Sequence, residues 1–116
     1  EYVPNLYIPG YVPEGYEFEK ATVEKYSDDM YKIEFTFIDN KKSYLSMIQA
    51  SQVESGNKTL FLKESDEIYE SRWGTVYISN HQKGISGMLI KDNDKISIFG
   101  DISEVDLKNI YEGLEY

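Results

Sequence analysis

Chemistry in this chain has to come from a short set of side chains. Cysteine is absent and His81 is the single histidine. A cysteine-ligated zinc site, an iron–sulfur cluster, a disulfide framework and a cysteine nucleophile are therefore excluded. A Ser-His-Asp triad or a histidine metal site would have to be built on His81 alone. His81 sits between Asn80 and Gln82 in a polar stretch, where a lone imidazole is ordinarily solvated, with no second ligand or nucleophile in suitable context. The carboxylates cluster at Asp28-Asp29, Glu64-Asp66-Glu67-Glu70 and Asp92-Asp94. Paired carboxylates can hydrolyse glycosides when they face each other across a cleft. Asp92-Asn93-Asp94 opens like a calcium loop, but Ile96 and Ile98 follow where oxygen ligands and a turn glycine are needed. These acids read as solubilising charge on turns.

Two further patterns carry little. Gly84-Ile85-Ser86-Gly87 lacks the lysine and hydroxyl order of a phosphate-binding loop. Asn57-Lys58-Thr59 is a glycosylation sequon that matters only on a eukaryotic secretory route. No catalytic residue, metal ligand or cofactor site is expected. The aromatics are more informative, with 11 Tyr, 5 Phe and 1 Trp in 116 residues. Tyr2, Tyr7, Tyr11 and Tyr16 crowd the first 16 positions. Tyrosine and tryptophan combine a large apolar body with a polar tip and dominate binding hot spots, yet they also cover sheet edges. Tyr7, Tyr11, Tyr16 and Trp73 are the expected ligand- or partner-binding residues.

The elements that hold these residues follow from periodicity. Residues 1–15 contain all three prolines, so an extended lead-in is expected, with a turn at Pro13-Glu14-Gly15. Period-two alternation then takes over. Tyr31, Ile33, Phe35 and Phe37 alternate with Lys32, Glu34 and Thr36, the pattern of a half-buried strand. Residues 43–51 form the next strand after the turn at residues 39–42. In residues 17–27, Tyr16 and Phe18 are out of phase with Ala21 and Val23, which a bulge near Glu19-Lys20 reconciles. Residues 51–60 read as a loop. Further strands are expected over 60–63 with 68–69, then 74–79, 86–91 and 95–99, with turns at 80–84 and 92–94. After Gly100 the period changes. Ser103 can cap a helix with Glu104 and Asp106 in its first turn and Leu107, Ile110, Tyr111 and Leu114 along one face. The expected fold is a single α+β domain over 1–116. It has a lead-in (1–15), an antiparallel meander sheet of six to seven strands (16–100), and one C-terminal helix (103–114) packed on one face.

The order of motifs resembles a known family. Tyr7-Ile8-Pro9-Gly10-Tyr11-Val12-Pro13-Glu14-Gly15-Tyr16 is similar to the Pro-x-Gly-Tyr opening of domain-of-unknown-function family 4367. Leu45-Ser46-Met47-Ile48-Gln49-Ala50-Ser51 resembles its hydrophobic strand ending in Gln near Ser, and Tyr77, a hairpin and a short helix follow in order. One departure stands out. The family commonly carries a tryptophan in the late strand, where this chain reads Gly87-Met88-Leu89-Ile90-Lys91. The resemblance implies an extracytoplasmic domain of membrane-anchored proteins, mainly of Gram-positive bacteria. It supplies no catalytic residues to carry over.

Charge and partners complete the expectation. A formal net charge of -9 argues against nucleic acid, whose phosphates are met by Lys and Arg. A non-catalytic binding or sensory and regulatory module is expected, as a monomer, at the cell surface. Its ligand would be a protein, peptide or cell-envelope component. The chain starts at Glu1 rather than Met, so contact with the membrane would come only through a segment upstream of residue 1. The alternatives are a carboxylate-dependent hydrolase of envelope glycans and a cis-acting inhibitory or structural domain.

Overall fold

The computed structural model describes residues 7–25, 31–51, 67–91 and 94–115. Tyr2, the acidic pair at 28–29, the loop and sequon of 52–60, the strand expected over 60–63, Glu64 and Asp66, and residues 92–93 lie outside the described residues.

The elements in chain order are β1 (Ile8–Pro9), β2 (Glu17–Lys25), β3 (Tyr31–Ile38), β4 (Tyr44–Ser51), β5 (Glu67–Ser71), β6 (Gly74–His81), β7 (Gly84–Lys91), β8 (Asp94–Gly100), α1 (Glu104–Glu112) and β9 (Leu114–Glu115). Seven strands form one sheet in the order β2-β3-β4-β8-β7-β6-β5, with every neighbouring pair antiparallel. The class is α+β, with one C-terminal helix. The sheet consists of two meanders, β2–β4 and β5–β8, whose last strands pair with each other. Short connections fix each meander locally, whereas the β4–β8 contact is long-range, so alternation alone does not specify it.

Phase assigns the faces. Ile33, Phe35 and Phe37 of β3 lie opposite Gln49, Met47 and Leu45 of β4. Met47 and Gln49 lie opposite Ile98 and Ile96 of β8, which lie opposite Gly87 and Leu89 of β7. This face carries the core, in which Met47, Val76, Ile78, Leu89, Ile96 and Ile98 are almost fully buried. The bulge expected in β2 falls between Phe18 and Lys20, leaving Glu19 without a partner in β3.

The helix starts where the sequence placed it. Ser103 caps it, its side chain accepting from the Asp106 N–H at 3.1 Å. Leu107, Ile110 and Tyr111 are buried on the sheet. The end differs from expectation: α1 stops at Glu112, with the Gly113 N–H donating to the Asn109 carbonyl at 2.9 Å. Leu114 still enters the core, but from β9, which pairs with β1. A two-residue strand pairing with a proline-bearing partner leaves no periodicity to read. The turn expected at 80–84 is also shorter. β6 runs through His81, and the hairpin loop is Gln82-Lys83 alone.

Candidate functional site

The lead-in is strapped over the core face. The Tyr7 N–H donates to Gln49 Oε1 at 2.9 Å, and the Gly10 N–H donates to the Gly113 carbonyl at 3.0 Å. The turn at residues 13–16 closes with the Tyr16 N–H on the Pro13 carbonyl, and Gly15 takes the left-handed φ of 93° that this turn requires.

These contacts place the four expected binding residues. Tyr7 is 3% exposed and belongs to the core. Its ring meets Trp73 edge-on at 5.2 Å between centroids. Tyr11 and Tyr16 are half-buried against the core. The Tyr11 hydroxyl donates to Asp106 Oδ1 at 2.9 Å, and that hydrogen bond to a carboxylate raises its pKa. Tyr16 is also raised, first by burial and then by the charges of Asp39 and Asp101. Trp73 sits in the two-residue loop between β5 and β6, half-buried, with the Arg72 guanidinium 4.5 Å from its ring centroid. Its indole Nε1 is buried and has no hydrogen-bond partner among the described residues. The structure thus brings Tyr7 and Trp73 together, and places Tyr11 and Tyr16 further along the strap.

Beneath the strap lies a buried polar chain. Gln49, 1% exposed, donates to the Tyr31 hydroxyl at 3.1 Å, and that hydroxyl donates to Asp94 Oδ1 at 2.8 Å. Burial, then the bond to Asp94, pushes the Tyr31 pKa up to about 12. The phenol therefore remains a donor throughout the physiological range. Each polar atom described here has its bond, which is what permits the chain to sit in a core.

Among the described residues no helix packs on the opposite face. A cross-strand row runs Lys20, Thr36, Ser46, Phe99, Ser86 and Ser79. Phe99 is 47% exposed, and Tyr44, two residues before Ser46 on β4, is 54% exposed. His81 completes the cluster, its ring 5.9 Å from that of Phe99. Two hollows of about 760 Å³ and 490 Å³ share Tyr44 and Phe99 as lining residues. The larger extends past His81, Lys83 and Asp101 to Ser103 and Glu104, and the smaller past Lys20, Glu34 and Thr36. This groove was not expected from the sequence. A signal for it was present in β8, where Phe99 stands at the outward-facing phase of a strand whose other outward positions are Lys95 and Ser97.

Chemically the groove binds better than it reacts. His81 Nε2 lies 2.8 Å from Ser86 Oγ, the spacing of a nucleophile and its base. Among the described residues no carboxylate bonds the other ring nitrogen. Ser86 also sits mid-strand between Ser79 and Phe99, where the backbone amides are engaged in the sheet rather than converging on an oxyanion. Glu104 is held below the usual carboxylate range, first by Lys108 at 2.9 Å, the opposite of what a general acid needs. Among the described residues, no group of three His, Cys, Asp or Glu could hold a metal ion.

No curated protein is similar enough in sequence to match this chain. The family model for the domain of unknown function DUF4367 matches residues 6–114, spanning the strap, the sheet and the helix, and the chain belongs to that family.

Proposed function

We propose that this domain is a non-catalytic binding module, sensory or regulatory in role, whose open-face groove takes a cell-envelope glycan. The observation that carries the reading is the pair of exposed aromatics, Tyr44 and Phe99, shared by two adjoining hollows. Aromatic platforms cover the flat apolar faces of sugar rings. The hydroxyls of Ser46 and Ser86 along the same row offer donors and acceptors to the ring substituents. The extracytoplasmic, membrane-anchored setting rests on what the family resemblance implies, with the anchor upstream of residue 1.

A titration with soluble cell-wall glycan fragments, followed by NMR, tests this. Shifts should concentrate at Tyr44, Ser46, Ser86 and Phe99. Replacing both aromatics, Tyr44→Ala with Phe99→Ala, should weaken binding by at least about thirtyfold, since the loss of such an anchor is about 2 kcal/mol or more. An unshifted groove at saturating fragment would dispose of the reading.

A second surface is favoured by one observation, the indole nitrogen of Trp73 beside Arg72, unpartnered among the described residues. There the lead-in set, Tyr7, Tyr11, Tyr16 and Trp73, would serve a protein or peptide partner, with Tyr7 acting from within the core. Trp73 is the only tryptophan. Its fluorescence therefore separates the two surfaces, since a groove ligand leaves it unchanged and a strap partner does not.

A further inference from the structure

Among the described residues β2 is the outer strand of the sheet, paired on one side with β3 and on the other with no strand. All nine of its residues are exposed. Phe18 and Val23 are 58% and 48% exposed on the core side of the sheet. A long outer strand with one unpaired backbone edge is a template for strand addition, and proteins blunt such edges with charge and bulges. β2 has both, the bulge at Glu19 and five charged residues, Glu17, Glu19, Lys20, Glu24 and Lys25. The placement of those charges is the telling feature.

We propose that β2 is a self-association edge, in which two copies of this chain pair their β2 strands antiparallel about a two-fold axis at Thr22. The register follows from sequence and phase. Lys20, Thr22 and Glu24 lie on the open face, while Ala21 and Val23, opposite Phe35 and Ile33, lie on the core side. With Thr22 facing its own copy, Lys20 meets the partner's Glu24 and Glu24 meets the partner's Lys20. On the other side Ala21 meets Val23, and Val23 meets Ala21. Each off-axis contact occurs twice, as a two-fold interface requires.

Neighbouring registers are worse. A two-fold at Lys20 or at Glu24 sets like charges directly opposite, and one at Ala21 leaves Lys20 facing Thr22. A slip to an odd register would set open-face residues against core-side ones. The Thr22 register alone matches charge on one face and apolar area on the other. It joins two seven-stranded sheets edge to edge, with both open grooves on the same side. The sequence alone had suggested a monomer; the strand edge is what changes that.

The test is sedimentation equilibrium of the full chain from about 10 µM to about 1 mM, the range suited to an interface of this small area. The native chain should approach a dimer at the upper end, less so at high salt. Lys20→Glu and Glu24→Lys should each weaken association by about tenfold, because two opposite-charge cross-strand pairs become like-charge pairs. The double variant K20E/E24K should restore it. Lys20 faces Thr36 within its own sheet, so its replacement disturbs no directly opposed charge pair there, whereas Glu24 faces Lys32, so Lys20→Glu is the variant that reads the interface alone. Circular dichroism and thermal melts confirm that each variant is folded. A chain that stays monomeric throughout the range overturns the proposal, and so does a double variant that associates no better than the single ones.

Discussion

Gly87 shows how one missing methyl group sets the distance between the helix and the sheet. A Cβ there would stand 2.8 Å from Tyr111 Cε2, 3.0 Å from its hydroxyl and 3.3 Å from Leu107 Cδ2. Tyr111 has no room to yield. It is fully buried, and its hydroxyl donates to the Ile96 carbonyl at 3.0 Å. Retreat of the ring would break that bond, and retreat of α1 would open the core under Leu107 and Ile110. Gly87→Ala should therefore destabilise the fold by about 1–3 kcal/mol through overpacking. This exceeds the 0.4–1 kcal/mol or so gained by restricting the unfolded chain. Urea unfolding reads the difference, and an unchanged midpoint would show that the layers can separate without cost.

At the scale of elements, the Ser103 cap ties the helix to the groove. The Leu107 N–H bonds the Ser103 carbonyl, the Ser103 hydroxyl takes the Asp106 N–H, and Ser103 also lines the larger hollow. Ser103→Ala should cost about 1 kcal/mol, while Ser103→Asp, which keeps an acceptor at the cap, should lie within a few tenths of the native value. Equal loss in both variants would mean that the hydroxyl acts through the groove rather than the cap. The cap was legible because capping is local, as were the phases of β3 and β4, the bulge at Glu19 and the Leu107-Ile110-Tyr111 stripe. Their physics is written within a few residues. The pairing of β4 with β8 was not legible, because nothing within either strand records which partner closes the sheet. The strap was legible as extended chain but not as core, since Tyr7 looks the same in sequence whether its ring meets solvent or Trp73. The groove escaped for a related reason. Tyr44 and Phe99 are 55 residues apart in sequence and become neighbours only through the β4–β8 pairing.

For the molecule as a whole, the tyrosines decide the response to base. Burial raises Tyr111 well above the ordinary phenol value and takes Tyr31 to about 12. Tyr16 is raised mainly by burial, and Tyr11 and Tyr69 mainly by hydrogen bonds to Asp106 and Glu112. In the unfolded chain each phenol titrates near 10. Below that pH both states hold the proton, and these groups make no difference to the slope. Above it the unfolded chain releases protons that the folded chain retains, so the unfolded state binds fewer and stability falls as pH rises. Lys108 acts in the same direction, because its pairs with Glu104 and Glu67 raise its pKa and are lost once it deprotonates. Glu104, held low by the same pairing, contributes on the acid side, where its share is lost as pH falls through its depressed pKa. Stability should therefore be level from mildly acidic pH to about 10 and then drop across the interval up to about 12 set by Tyr31. Urea midpoints at several alkaline pH values, taken with the ultraviolet absorbance of tyrosinate, check this. Tyr31 and Tyr111 should ionise together in the step that unfolds the sheet. A midpoint that holds beyond pH 11 while all the tyrosines ionise smoothly would show that the Gln49–Tyr31–Asp94 chain and the Tyr111 bond to Ile96 do not hold protons in the folded state.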